Sequence, residues 1–127
     1  MARRPGEYLA DILDAVAAIR AYTRSGKRAF LRNAMARDAV IARIIQIGEA
    51  VKGAQAGGID LEGLASEVPW QQIAGMRDIL SHQYWRTDAK IVWGVIAKDL
   101  DPLEAAAKKV HAAFHAAARR PRSRRKT

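Results

Sequence analysis

Eight consecutive residues, Arg77-Asp78-Ile79-Leu80-Ser81-His82-Gln83-Tyr84, bring together a permanent cation, a titratable imidazole and a phenol. A guanidinium holds a phosphate through a fork of donors, and an imidazole moves a proton near neutral pH. The phenol adds a hydroxyl open to covalent modification. Spacing limits how these parts cooperate. Five helical positions put Arg77 and His82 about 140° apart around the axis, so a regular helix does not aim them at one point. Either the helix loosens near Ser81 and His82, or the site takes a second copy of the segment from another subunit. Asp78 and His82 lie one turn apart on a shared face, where a carboxylate favours the imidazolium and fixes the ring tautomer. Arg77 and Tyr84 lie two turns apart along one face, a spacing that favours a composite site across a dimer.

These residues sit in a chain whose apolar positions recur at helical spacing, with no sustained strand-like alternation. Tyr8, Leu9, Ile12, Leu13, Val16 and Ile19 mark a first helix ending near Ser25-Gly26. A second, longer helix is predicted from near Ala29 to about Gln55, with Leu31, Ala34, Val40, Ile41, Ile44, Ile45, Gly48 and Val51 on its stripe. Gly48 in mid-helix costs about 1 kcal/mol of propensity relative to Ala, and its small size predicts close approach by another helix. Ala56-Gly57-Gly58 breaks the chain, and a short helical turn follows over residues 61–66. Pro69 suits the first position of a third helix running to about His82. Thr87 or Asp88 offers an N-cap for a helix over roughly residues 89–100, and Asp101-Pro102 restarts or kinks it into a last helix reaching about Ala118. The predicted fold is all-α, an antiparallel bundle of four to five helices in one domain, residues 1–118, with a basic and disordered tail over 119–127.

A chain of 127 residues is long enough for one domain with a real core. Half of it is hydrophobic, much of that Ala, which fits packed helices rather than a disordered chain. Cysteine is absent, which excludes disulfides and thiolate metal sites. No apolar h-region follows Met1 and no apolar run nears membrane-spanning length, so a cytoplasmic chain is expected. Of the net charge of +9, six units come from the last nine residues and two from Arg3 and Arg4, leaving +1 for the body. A solvated basic arm attracts an anionic polymer by counterion release without sequence preference. Arg119, Arg120, Arg122, Arg124, Arg125 and Lys126 are therefore candidate RNA contacts, or a charged terminus that only aids solubility.

Other side chains carry weaker signals. His111 and His115 have a spacing that can bind zinc, but no acidic third ligand accompanies them and Lys108 shares their face; a solvated face and no metal are expected. Glu49 is either buried beside the motif, where it tunes it, or a surface residue. Trp70 and Trp93 are expected in the core or an interface, although tryptophans, Trp85 included, can stack on nucleobases. Gly57-Gly58 lacks the flanking strand and Lys-Ser/Thr of a phosphate loop, and no serine or cysteine hydrolase arrangement is present.

Arg, four residues, His, one residue and Tyr is the motif of HepT-like toxins, within the wider HEPN class of helical ribonucleases, and Arg77, His82 and Tyr84 resemble it. The likeness extends further. Tyr8-Leu9-Ala10-Asp11-Ile12-Leu13 resembles the opening helix of that family, and Arg37-Asp38-Ala39-Val40-Ile41 through Ile47-Gly48-Glu49-Ala50 its second. Val68-Pro69-Trp70-Gln71-Gln72-Ile73-Ala74-Gly75-Met76-Arg77 resembles the lead-in to the motif, and Ile91-Val92-Trp93 the segment after it. Together these cover residues 7–103 in the family's order.

The resemblance implies a HEPN-like homodimer in which two motifs meet at the interface and Arg77 and His82 form the RNA-cleaving pair. It implies metal-independent, cofactor-free attack by a ribose 2′-hydroxyl on the adjacent phosphate, with His82 moving the proton and Arg77 stabilising the developing charge. It also implies a toxin–antitoxin partner, a minimal nucleotidyltransferase of the MntA kind that transfers AMP from ATP to the motif tyrosine, here Tyr84. Two departures stand out. Asp78 replaces the family's common Asn, and Ser81-His82-Gln83 replaces its frequent valine–histidine–glycine. A competing expectation is a non-catalytic HEPN-like module that binds nucleotide, RNA or a partner, and a third is a basic-armed bundle that simply binds nucleic acid.

Overall fold

The apolar stripes of the sequence become the inward faces of four long helices. The computed structural model describes residues 3–83 and 86–119, the side chains of 115–119 excepted. Among them are α1 (Pro5–Tyr22), α2 (Lys27–Leu31), α3 (Ala34–Ala56), α4 (Leu61–Leu64), α5 (Trp70–Gln83) and α6 (Ala89–Arg119), and no strand. The fold is all-α, as expected. Leu9, Ile12, Ala15, Val16 and Ile19 are the buried face of α1, following the three-and-four spacing of an amphipathic helix.

The predicted second helix divides in two. Asn33 takes an extended backbone, and its side-chain oxygen accepts a hydrogen bond from the Ala36 N–H at 3.0 Å. An N-cap of this kind satisfies a donor that a new helix start leaves open, so α3 begins here and α2 is a single short turn. Leu31 and Ala34 therefore belong to different helices, and Ala34 faces solvent. The buried stripe of α3 begins at Val40 and runs through Ile41, Ile44, Ile47, Gly48, Ala50, Val51 and Ala54.

The two predicted final helices are one. α6 passes through Pro102 without ending, although a proline inside a helix loses one backbone hydrogen bond and crowds the carbonyl four residues earlier. Packing offsets that cost. Leu100, Leu103, Ala106, Ala107 and Val110 are buried, and Arg20 of α1 donates to Asp101 at 2.6 Å and to Glu104 at 2.7 Å, bracketing Pro102 from both sides.

Local capping sets the other boundaries. Asp60 accepts from the Gly63 N–H at 3.0 Å at the start of α4. Pro69 lies just ahead of α5, its carbonyl accepting from the Ile73 N–H at 3.1 Å. Asp88 rather than Thr87 caps α6, accepting from the Lys90 N–H at 2.8 Å, while the Thr87 hydroxyl donates back to the Gln83 carbonyl at 3.1 Å.

α3 is the central helix, packed by α1 and by α5, with α6 running along α1 and α2 touching both α3 and α6. α1 and α3 are antiparallel. Tyr8 near the start of α1 lies against Gly53 near the end of α3, and the Tyr22 hydroxyl at the other end accepts from Arg43 at 3.3 Å. Trp70 is fully buried with its indole N–H donating to the Ala65 carbonyl at 2.8 Å. Trp93 meets the Phe30 ring with centroids 5.5 Å apart. Both are packing residues, as expected.

Gly48 is where α5 comes closest to α3. A Cβ there would stand 2.5 Å from the Arg77 Cβ and 3.2 Å from the Ile73 carbonyl oxygen. Neither obstacle is the far end of a flexible side chain, so the helices would have to separate. Gly48→Ala gains about 1 kcal/mol of helix propensity but meets an overpacking cost of about 1–3 kcal/mol. The expected outcome is a lower thermal unfolding midpoint; a raised midpoint would show slack between α3 and α5.

Candidate active site

The close approach at Gly48 determines what surrounds Arg77. Glu49 follows Gly48 on α3, and its Oε2 accepts from Arg77 Nε at 2.7 Å and lies 2.6 Å from Nη2. Asp78 Oδ1 accepts from Arg77 Nη1 at 2.8 Å. Lys52, one turn past Glu49 on α3, donates to both Asp78 oxygens at 3.2 Å. Two helices thus build a row of alternating charge, Glu49, Arg77, Asp78 and Lys52. The Arg77 side chain is about one-third exposed (33%) and the other three more so. Ion pairs this wet contribute little to stability. Their consequence is orientation.

Hydrogen bonding to Asp78 first and Glu49 second holds the Arg77 guanidinium even more firmly protonated than an ordinary arginine. Bonds from Arg77 and then Lys52 hold the Asp78 carboxyl below the usual carboxylate range. A guanidinium has five N–H donors. One on Nε and one on Nη2 face Glu49 and one on Nη1 faces Asp78, so among the described residues each terminal nitrogen keeps one donor for an incoming anion.

His82 lies one and a half turns further along α5 and is exposed. α5 stays helical through Gln83, so the loosening considered from sequence does not occur before that point. Arg77 and His82 therefore diverge by about 140° around a regular axis. Ser81 reinforces this regularity by donating its hydroxyl to the Arg77 carbonyl at 2.6 Å. The hydrogen bonds of the Asp78 carboxylate go to Arg77 and Lys52. Glu49, for which sequence left a buried and a surface reading, is a surface residue, and as one it lies beside the motif.

Tyr84 and Trp85 lie outside the described residues, as do Arg120, Arg122, Arg124, Arg125 and Lys126; Arg119 ends α6 with its side chain undescribed. His111 is half-buried on α6. Among the described residues no group of three or more His, Asp and Glu side chains is arranged to hold a metal ion. No helix among them is long and apolar enough to cross a membrane.

An apolar groove of about 340 Å³ runs between α5 and the start of α6, lined by Ile44, Met76, Ile79, Leu80, Ile91 and Val95 among others. Ile79 is 63% exposed and Ile91 64%, and both border it. Sequence reasoning missed this groove and Lys52. Helical periodicity does place Ile79 off the buried stripe of α5, which was the available signal; nothing local marks Lys52.

Comparison with known proteins decides the family. Residues 12–110 match the model of the HepT-like ribonucleases. The chain belongs to the HepT-like ribonuclease family. It is 34% identical, over 82% of its length, to 93% of a Thermococcus cleftensis protein described as a probable ribonuclease HepT. It is 35% identical over 64% of its length to a candidate RNase of Caldanaerobacter subterraneus, covering 70% of that protein. A Methanocaldococcus jannaschii protein whose name joins a gamma-glutamylcyclotransferase to a candidate RNase is 35% identical over 76% of the chain, which spans 43% of that longer protein. No solved structure matches.

In this HepT-like ribonuclease, then, the Arg77 cation is held between two carboxylates on the solvent face of α5. Because the folded-state pKa of Asp78 lies below its unfolded value, its ion pairs contribute stability above the unfolded pKa and lose it as pH falls through the folded one. A carboxyl NMR titration should place the Asp78 midpoint below the ordinary aspartate range and higher in Arg77→Ala than in Lys52→Met. An unshifted midpoint in the wild type would contradict the geometry.

Proposed function

We propose that the chain is a metal-independent endoribonuclease toxin acting on RNA in the cytoplasm, with Arg77 and His82 as its catalytic residues. The observation that carries this reading is Arg77 itself, aimed by Glu49 and Asp78 with one donor spare on each terminal nitrogen. That is a docking point for a phosphate. In the reaction the ribose 2′-oxygen bonds to phosphorus while the bond to the 5′-oxygen breaks. His82 takes the 2′-hydroxyl proton or supplies one to the departing 5′-oxygen, and Arg77 stabilises the charge on the non-bridging oxygens. The products are a 2′,3′-cyclic phosphate and a 5′-hydroxyl.

The divergence of Arg77 and His82 around α5 favours a site completed by a second copy, so the working form is a homodimer. Ile79 and Ile91, both exposed, supply apolar surface that a second copy would cover. The basic residues from Arg119 to Lys126 add sequence-independent attraction for RNA.

The chain forms a toxin–antitoxin pair with a minimal nucleotidyltransferase, which neutralises it by AMPylation of Tyr84. A phosphodiester on Tyr84, seven residues after Arg77 in sequence, competes with RNA phosphate for the same cation. The rival reading, a non-catalytic HEPN-like module for nucleotide, RNA or a partner, draws support from the two carboxylates already on Arg77, since they oppose an anion.

RNA incubated with the protein in EDTA separates the readings. Cleavage leaving 2′,3′-cyclic phosphate ends is expected, falling about 10²–10⁴-fold in His82→Ala, while truncation before Arg119 weakens binding and its salt slope more than the chemistry. Cleavage that survives His82→Ala, or that requires a divalent metal, overturns the mechanism. For the switch, intact mass after incubation with the partner transferase and ATP should rise by one or more AMP units in the wild type and stay unchanged in Tyr84→Phe. An unchanged wild-type mass would rule the modification out.

A further inference from the structure

Lys52 is the one member of the charge row with no contact to Arg77, and its position gives it a role. It stands on α3 one turn beyond Glu49 and holds both oxygens of Asp78 at 3.2 Å. Glu49 and Asp78 together outweigh Arg77 by one negative charge. Lys52 brings the row to neutrality. Without it, an incoming phosphate meets a net negative surface at the cation meant to receive it.

The ion pair also fixes direction. Asp78 can turn one oxygen to Arg77 Nη1 while Lys52 spans both, which keeps the carboxylate beside α3 and away from the spare donors. The Lys52 and Asp78 side chains are about half exposed, at 44% and 52%. A surface pair of that kind is not needed for folding, so its arrangement calls for another explanation.

We propose that Lys52 is a positioning residue of the RNA site, neutralising and restraining Asp78 so that Arg77 stays receptive to phosphate. This rests on the reading of Arg77 as the phosphate-binding residue. The rival role for Lys52 is direct contact with RNA, since it also lines a polar groove with Arg3, Tyr8, Gln46 and Glu49. The two roles differ in whether Asp78 matters.

Steady-state cleavage of RNA in EDTA by the full chain tests it. Lys52→Met is expected to raise KM about five- to twentyfold with little change in kcat, as loss of one nearby unit charge at a solvated site implies. Lys52→Arg keeps the charge and should stay near wild type. In the Asp78→Asn background the carboxylate charge is gone, so adding Lys52→Met should change KM less than twofold. The thermal midpoint of Lys52→Met should stay within about 3 °C of wild type. An equal loss in both backgrounds makes Lys52 a direct RNA contact and overturns the proposal, as does no loss in either. If the wild type shows no His82-dependent cleavage, the ribonuclease mechanism itself has failed and takes this role with it. Intact cleavage with a background-independent Lys52 effect removes this role alone.

Discussion

The absence of one methyl group at Gly48 is the constraint on which the site depends. Because α3 has no Cβ there, the α5 backbone at Ile73 and Arg77 can come within direct contact of it. Arg77 then starts from a point flush against α3, and its side chain must leave along the face that carries Glu49 and Lys52. The charge row is a consequence of that approach. Move α5 outward by the width of a methyl and Arg77 loses the partners that aim it, although nothing in the motif has changed.

The core and the site are stabilised by different physics, and the separation is sharp. Among the described residues the buried set contains no polar or charged residue, so packing of Leu, Ile, Val, Ala and Trp70 holds the bundle. The charged partners of Arg77 all face water. On the proposed reading that placement would matter for function, because a carboxylate in water can be exchanged for a phosphate at small net cost, whereas a buried carboxylate would hold the guanidinium against substrate. Orientation without sequestration is what exposed pairs provide.

Much of the fold was legible because helical periodicity is a local signal. The stripe of α1, the close approach at Gly48 and the core placement of Trp70 all follow from residue type and spacing. The errors have the opposite character. The Asn33 cap interrupts a helix that propensity would have continued, since one side-chain oxygen accepting from Ala36 suffices to start a new one. Pro102 reads as a restart or kink, but its bracketing by Arg20 depends on residues 81 and 84 positions away in sequence. The shared face of Asp78 and His82 is legible from spacing, whereas Lys52, 26 positions before Asp78, is brought to that carboxylate only by the fold. Intrahelical spacing gives candidate partners, and cross-helix cations then compete for them.

That competition bears on why a single chain presents Arg77 and His82 facing apart. Convergence within one subunit would require α5 to unwind between them. Several interactions oppose this: Leu80 is buried, Ser81 bonds back to the Arg77 carbonyl, and Thr87 ties the Gln83 carbonyl at the helix end. Unwinding would also loosen Arg77 from Glu49. A second copy would avoid all of these costs, since it could bring its own residues to the face that one helix cannot reach, and the exposed Ile79 and Ile91 offer it apolar surface. On the proposed reading, the rigidity that makes Arg77 a well-aimed cation is the same rigidity that would leave a lone chain an incomplete site.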